Sequence, residues 1–267
     1  MTKLATTSWG SGPRLVICHG FTQTSSSWGA FGRALGSHHT IVAVDLPGHG
    51  GSSDIEADVV GAAHDLLDTV GEEPFVLLGY SMGARVAMTA AMMQPRGLRE
   101  LILIGGTPGI LDDEAREQRR VGDEALASEL EETEDVGGFL DRWLAQPLFA
   151  GLSDDAQDRA SRMKNSARGL AMSLRKMGTG TQQSAWGFLD LIDVPTLLLV
   201  GELDPKFVSI AHGMHDELSI STLAIAPGVG HACHLEAPEP CASVIEHWLD
   251  ALHGSASPTA NTTPTTN

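Results

Sequence analysis

The sequence predicts an α/β fold built on a mostly parallel, doubly wound sheet, and three observations point to it. Short apolar runs bounded by Gly or Pro recur along the 267 residues, helical patterns alternate with them, and one long polar helical stretch interrupts the alternation. R-L-V-I-C-H-G (14–20), T-I-V-A-V-D-L (40–46), F-V-L-L-G-Y (75–80), L-I-L-I-G-G (101–106), T-L-L-L-V-G (196–201) and T-L-A-I-A-P (222–227) each read as a strand. Continuous apolar runs of this kind suit a parallel sheet covered on both faces. Residues 54–70, 82–93 and 243–252 read as helices of the surrounding layers.

Residues 111–190 break the rhythm. This stretch is polar, helical in pattern and acidic near its start (E-L-E-E-T-E-D, 129–135), so it reads as a helical cap inserted into a core formed by 1–110 and 191–253. The low-complexity tail G-S-A-S-P-T-A-N-T-T-P-T-T-N (254–267) reads as disordered.

Composition narrows the function. A formal charge of −17 argues against nucleic acid or an anionic membrane as partner, and leaves an anionic substrate to be held by a few local cations. No apolar run approaches the roughly 20 residues of a membrane helix, and the N-terminus lacks the apolar core of a signal peptide. A cytoplasmic protein, monomeric or a small homo-oligomer with no membrane insertion, is expected. Cys18, Cys233 and Cys241 have no metal or disulfide spacing and read as small buried hydrophobes.

The chemistry starts at G-Y-S-M-G (79–83), a G-x-S-x-G turn between a strand and a helix. Glycines at its ends avoid collisions with the neighbouring strand and helix, and the Ser81 hydroxyl is exposed at a helix N-terminus that favours negative charge. A serine so placed needs a base, and that base needs an orienting acid, in the chain order Ser, Asp, His. Asp204 lies at the tip of V-G-E-L-D (200–204). His231 follows the next strand in G-V-G-H-A-C-H (228–234), with His234 as the competing candidate, expected to face the loop. The other nine histidines are expected at the surface or in loops, His49 of D-L-P-G-H-G-G-S-S (45–53) in a structural role. The backbone N–H groups of Phe21, in H-G-F-T (19–22), and of Met82 can form an oxyanion hole. Together these pieces resemble the α/β-hydrolase fold.

Arg85 lies four residues past the serine, on the same face of the helix start. The helix dipole disfavours a cation there, so it reads as a fork for a substrate carboxylate. With Arg85 included, G-Y-S-M-G-A-R, T-P-G-I (107–110), E-A-R-E-Q-R-R (114–120), W-L-A-Q-P-L-F-A-G-L (143–152), M-K-N-S-A-R-G-L-A-M-S-L-R-K-M-G-T-G-T-Q-Q-S-A-W (163–186) and G-E-L-D-P-K-F (201–207) resemble the SHCHC synthases of menaquinone biosynthesis. The resemblance spans about residues 13–250.

It implies a lyase that eliminates pyruvate from 2-succinyl-5-enolpyruvyl-6-hydroxy-3-cyclohexene-1-carboxylate, a small anionic polycarboxylate. Ser81, supported by Asp204 and His231, would act as general base, and the two N–H groups would hold the succinyl oxyanion. No acyl-enzyme, cofactor or metal is implied. The matching positions for substrate binding are Arg85, Arg119 (with Arg116 as second choice) and Lys164 in place of a third arginine. Tyr80 belongs to the same set, as do Trp143 and Trp186, whose other reading is cap core. Leu144 stands where the family often has tyrosine. A carboxylesterase or C–C bond hydrolase using Ser81 as nucleophile is the alternative, and a ligand receptor on the same fold is a third class.

Overall fold

The computed structural model describes residues 2–254; the tail expected to be disordered falls on 255–267, outside the described residues apart from Gly254. In chain order the first half comprises β1 (Thr6–Gly10), β2 (Arg14–Cys18), α1 (Gly29–Leu35), β3 (Thr40–Val44), α2 (Val59–Val70), β4 (Phe75–Tyr80), α3 (Met82–Met92) and β5 (Leu98–Ile104). Then come five helices, α4 (Asp113–Thr133), α5 (Val136–Leu144), α6 (Asp154–Gln157), α7 (Arg159–Arg162) and α8 (Ala167–Met177). The chain returns through β6 (Thr196–Gly201), α9 (Pro205–Glu217), β7 (Ser221–Ala226), α10 (Cys233–Glu236) and α11 (Pro238–Gly254).

The strands form one sheet in the order β1-β3-β2-β4-β5-β6-β7, parallel throughout except for β1, which pairs antiparallel with β3. The predicted fold class is therefore found. β1 is an element that the apolar pattern does not signal: T-T-S-W-G is an edge strand with four of its five residues exposed, so no apolar run marks it. Strands β4 and β6 are buried at every position, as sheet centre demands.

Two apolar clusters flank the sheet. One packs α2 and α3 against it through residues such as Leu66, Val86 and Met88; the other packs α1 and α11 through Phe31, Leu35, Ile245 and Leu249. The helices between β5 and β6 carry a third, smaller core of their own, with Leu130, Phe139, Leu140, Leu170 and Leu174 at its centre. Each of α4, α5 and α8 starts on an Asp or Ser side chain (Asp112, Asp135, Ser166) that accepts a backbone N–H three residues on.

The junction that matters most is β4 to α3. A side chain on Gly83 would have its Cβ 2.1 Å from the carbonyl oxygen of Cys18, and one on Gly79 would meet the Gly83 carbonyl at 2.4 Å. The start of α3 is thus pressed against the end of β2, which brings the turn after β2 beside the turn after β4. Neither obstacle is a flexible side chain. Gly83→Ala is expected to destabilise the protein by ~3 kcal/mol or more, read as a lowered urea midpoint; an unchanged midpoint would show that the two backbones are not in fixed contact.

Candidate active site

Ser81 sits between β4 and α3 at φ 51°, ψ −105°, outside the comfortable regions for a residue with a side chain. Its backbone is held on both sides: Ser81 N–H donates to the Ile104 carbonyl at 2.9 Å, and its carbonyl accepts from Arg85 N–H at 3.3 Å. Strain of this kind persists only when the surroundings over-determine it, and it projects the hydroxyl away from the sheet.

The hydroxyl meets His231. Ser81 Oγ lies 3.1 Å from His231 Nε2, and His231 Nδ1 donates to Asp204 Oδ2 at 2.8 Å. Asp204 is also the cap residue of α9, its Oδ1 accepting from Phe207 N–H at 3.3 Å. One carboxylate therefore fixes both the helix start and the imidazole. The ring is wedged in place: a Cβ on Gly105, itself at φ 56°, would stand 2.9 Å from His231 Cε1, and the Phe207 ring packs against the imidazole at 4.3 Å between centroids, tilted by 52°. Asp204 and His231 are 7% and 3% exposed, so their mutual bond is sheltered from water.

His234 does not face the loop, contrary to expectation. It is fully buried among Tyr80, Phe31 and Trp28, with the Tyr80 ring at 4.3 Å, and neither ring nitrogen has a hydrogen-bond partner. Three further histidines expected at the surface or in loops are also buried, His19 and His49 among them for a different reason. His19 donates from Nδ1 to the Gly20 carbonyl (2.8 Å) and accepts Leu46 N–H on Nε2 (3.1 Å). His49 donates to the Pro47 carbonyl (3.0 Å) and accepts Thr22 N–H (3.3 Å), the structural role expected of it. His39 is buried beside Glu246, at 3.1 Å. In His19 and His49 the ring bridges two loops, and a bridge that accepts on one nitrogen must be neutral.

Met82 is the first residue of α3, so its N–H is one of those a helix leaves without an internal partner. Phe21 lies in the turn after β2 that Gly83 holds close. Both line a cavity of about 570 Å³ that also contains Ser81 and His231, a volume within the usual range for small-molecule sites.

The cavity is cationic although the chain is acidic. Arg85, Arg119, Arg162 and Lys206 line it, opposed among the lining residues by a single carboxylate outside the triad, Asp123. Arg85 is buried, and its Nη1 donates to Gln182 Oε1 at 2.8 Å, a neutral partner, with Asp123 acting on the charge only at longer range. Burial, helped by the Arg119 charge, lowers its pKa to about 10, so it stays protonated at neutral pH. Arg119 pairs with Asp123 at 2.8 Å, whereas Arg116 pairs with Asp113 away from the cavity.

Lys164 is not in the cavity. It is exposed, and the cation that lines the site is Arg162, two residues earlier and 1% exposed. Arg162 is the last residue of α7, whereas Lys164 lies in the exposed turn that follows it. Arg162 donates from Nε to the Gln157 carbonyl (2.6 Å) and from Nη1 to the Thr22 hydroxyl, and burial lowers its pKa to about 10. The segment beginning M-K-N-S starts one residue too late to include it; the R-A-S-R run (159–162) just before carries the signal. Lys206 and Gln182 lie inside stretches that the sequence singles out without assigning them.

Tyr80 and Trp143 line the cavity as expected, but Trp186 does not. Its Nε1 donates to the Gly109 carbonyl at 3.2 Å and its ring packs over Gly213, so it joins the loop before α4 to α9. Leu144 is buried in the core beneath, away from the lining. Among the described residues, no group of three or more His, Cys, Asp or Glu could hold a metal ion, and no helix is long and apolar enough to cross a membrane. All three cysteines are buried and free.

Comparison with known proteins adds the following. The alpha/beta hydrolase family profile matches residues 15–244. A protein of Bacillus subtilis named putative 2-succinyl-6-hydroxy-2,4-cyclohexadiene-1-carboxylate synthase is 33% identical over 253 residues, 89% of this chain and 90% of its own. The enzyme of that name from Klebsiella pneumoniae strain 342 is 37% identical over 234 residues, covering 85% and 89%. Among solved structures, MenH from S. aureus superposes with a TM-score of 0.85 at 30% identity, covering 95% of this chain and 100% of its own.

The buried neutral histidines make a pH prediction. Burial lowers the pKa of His19 to about 4 and those of His49 and His234 to about 3, against 6.5 when exposed. Below about pH 6.5 the unfolded chain binds these protons while the folded one does not, so stability falls as pH drops towards 4. Each group contributes up to about 1.4 kcal/mol per pH unit in that window. His234→Phe keeps the ring contacts and removes two orphaned nitrogens. It is expected to be neutral or stabilising at pH 7 and to flatten the dependence of the urea midpoint on pH between 6.5 and 4; an unchanged slope would contradict this.

Proposed function

We propose, from the premise that the chain belongs to the 2-succinyl-6-hydroxy-2,4-cyclohexadiene-1-carboxylate (SHCHC) synthase family on the α/β-hydrolase scaffold, that Ser81 is the base of a pyruvate elimination. The activity is that of a lyase in menaquinone biosynthesis: 2-succinyl-5-enolpyruvyl-6-hydroxy-3-cyclohexene-1-carboxylate loses pyruvate to give SHCHC. The substrate has one ring double bond and the product two, so a C–H bond and the ring C–O bond must both break. The acidic hydrogen is on the ring carbon that bears the succinyl chain, α to its ketone. Removing it pushes electron density onto the ketone oxygen; the ring double bond then shifts, the ring C–O bond breaks with its electron pair going to oxygen, and the enolate so released takes up a proton at its methylene carbon to become pyruvate.

Each group has a part in that sequence. Ser81 takes the ring proton as its own proton passes to His231, whose imidazolium is stabilised by Asp204. The Phe21 and Met82 N–H groups donate to the succinyl oxygen as it gains charge. Arg85, Arg119 and Arg162 hold the carboxylates of a polycarboxylate substrate, with Tyr80 and Trp143 shaping the wall. The helical stretch 111–190 serves as the cap, since it supplies Arg119, Trp143 and Arg162 to the cavity while residues 1–110 and 191–253 supply the triad.

The observation that carries this reading is the cavity's charge. Two buried arginines that form no ion pair with any carboxylate, Asp123 being engaged by Arg119, make sense for an anionic substrate and would be costly for a neutral ester.

Two outcomes test it. Ser81→Ala should lower kcat for pyruvate release, followed by a coupled assay, on the order of 10²–10⁴-fold; near-normal turnover would rule out Ser81 as base. Arg162→Met should lower kcat/KM about 10-fold or more, while Lys164→Met stays within about twofold. The reverse ranking would show that the exposed lysine, and not the buried arginine, meets the substrate.

A further inference from the structure

Thr22, the residue after the Phe21 oxyanion donor, has φ 69° although it is β-branched, a conformation such side chains strongly avoid. It is fully buried, and all three of its polar groups are tied down. Its N–H donates to His49 Nε2 at 3.3 Å, its hydroxyl accepts from Arg162 Nη1, and its carbonyl accepts from Asn165 Nδ2 at 2.6 Å. Asn165 is itself 5% exposed and anchored elsewhere: its Oδ1 accepts Gly50 N–H at 2.9 Å, and Nδ2 also donates to the Arg162 carbonyl at 3.1 Å. One side chain from the α7–α8 connection therefore joins the turn after β2 to the turn after β3.

A strained turn held only by its neighbours relaxes when one of them is removed. Relaxing φ at Thr22 rotates the peptide chain next to Phe21, whose N–H must aim at a point fixed by Ser81 and Met82. Oxyanion donors act through preorganised aim, so a misdirected N–H loses its value in the transition state while ground-state binding changes little. We propose that Asn165 is a positioning residue for the oxyanion hole, holding Thr22 in its left-handed conformation so that Phe21 N–H is aimed before substrate arrives. This rests on the reading of Phe21 N–H as an oxyanion donor.

Asn165→Asp removes the donating arm, to the Thr22 and Arg162 carbonyls, because the carboxylate keeps the bond from Gly50 N–H and cannot donate; the comparison at position 22 isolates the part that acts through Thr22. The expected result is a fall in kcat of about 10- to 100-fold with KM within about threefold, together with faster amide hydrogen exchange across residues 19–23. Glycine adopts positive φ without strain, so in a Thr22→Gly background the same Asn165→Asp change should cost less than about threefold in kcat. A bond that merely stabilises the fold would lower the melting temperature, leave kcat of the folded enzyme unchanged and show no dependence on the residue at 22.

Unchanged exchange in Asn165→Asp would overturn the lock itself. Faster exchange with unchanged kcat would leave the lock standing and overturn the oxyanion role assigned to Phe21, and the proposal with it. Equal losses with Thr22 present and in the Thr22→Gly background would show that Asn165 acts by some route other than the strained turn. If Asn165→Asp does not fold, Thr22→Gly combined with Asn165→Ala supplies the same comparison against Asn165→Ala alone.

Discussion

The contact between the start of α3 and the end of β2 is the constraint on which the site depends. Only glycine fits at positions 79 and 83, because backbone oxygen and carbon atoms occupy the space a Cβ would need. That close approach does three things at once. It forces the reversal in which Ser81 takes its strained conformation, it frees Met82 N–H at the head of the helix, and it brings Phe21 alongside. In the proposed mechanism, a looser junction would separate the base from the groups that stabilise the charge it creates. The sheet contributes by placing β6 next to β5 and β7 next to β6, so that the loops carrying Asp204 and His231 converge on the same edge as Ser81.

In the proposed reading, electrostatics decides which chemistry the Ser81–His231–Asp204 array serves. The chain carries a formal charge of −17, and many of its surface cations are engaged by acids: Arg120 with Glu117, Arg142 with Glu129, Arg159 with Asp141, Arg175 with Glu124 and Glu131, and Lys176 with Glu56. Inside the cavity the pattern changes. Arg85 is held by an amide and Arg162 by a carbonyl and a hydroxyl, all neutral acceptors that orient a guanidinium without cancelling it. Desolvation makes those charges expensive in the empty protein and strong towards an incoming carboxylate. In the proposed mechanism, remote carboxylates held in this way would fix the ring so that its acidic hydrogen meets Ser81, and binding far from the reacting bond would speed the reaction.

Much of this was legible in the sequence, and the exceptions have physical causes. The parallel strands announce themselves because burial on both faces leaves continuous runs such as F-V-L-L-G-Y; the exposed edge strand T-T-S-W-G leaves none. Triad order and the glycine spacing at 79 and 83 are local properties, so they read directly. Burial of single polar side chains is not local. His234 follows a short loop in sequence yet lies under Tyr80, Phe31 and Trp28 because α10 packs against α1. Arg162 ends α7 and Lys164 lies in the turn just beyond it, and no periodic pattern spans a helix of four residues. Trp186 could have lined the cavity or the core, and the bond from its indole to the Gly109 carbonyl sets it on the core side of the loop.

The central claim is that Ser81 removes a ring proton and pyruvate leaves by elimination, with no acyl or hydrolytic step. The most direct measurement is a single turnover of the enolpyruvyl substrate in which pyruvate and the ring product are quantified together. Elimination predicts one conjugated cyclohexadiene for each pyruvate, formed at the same rate. Pyruvate released without the diene, leaving a ring that keeps its oxygen, would mean that water had cleaved the enol ether and would contradict the account.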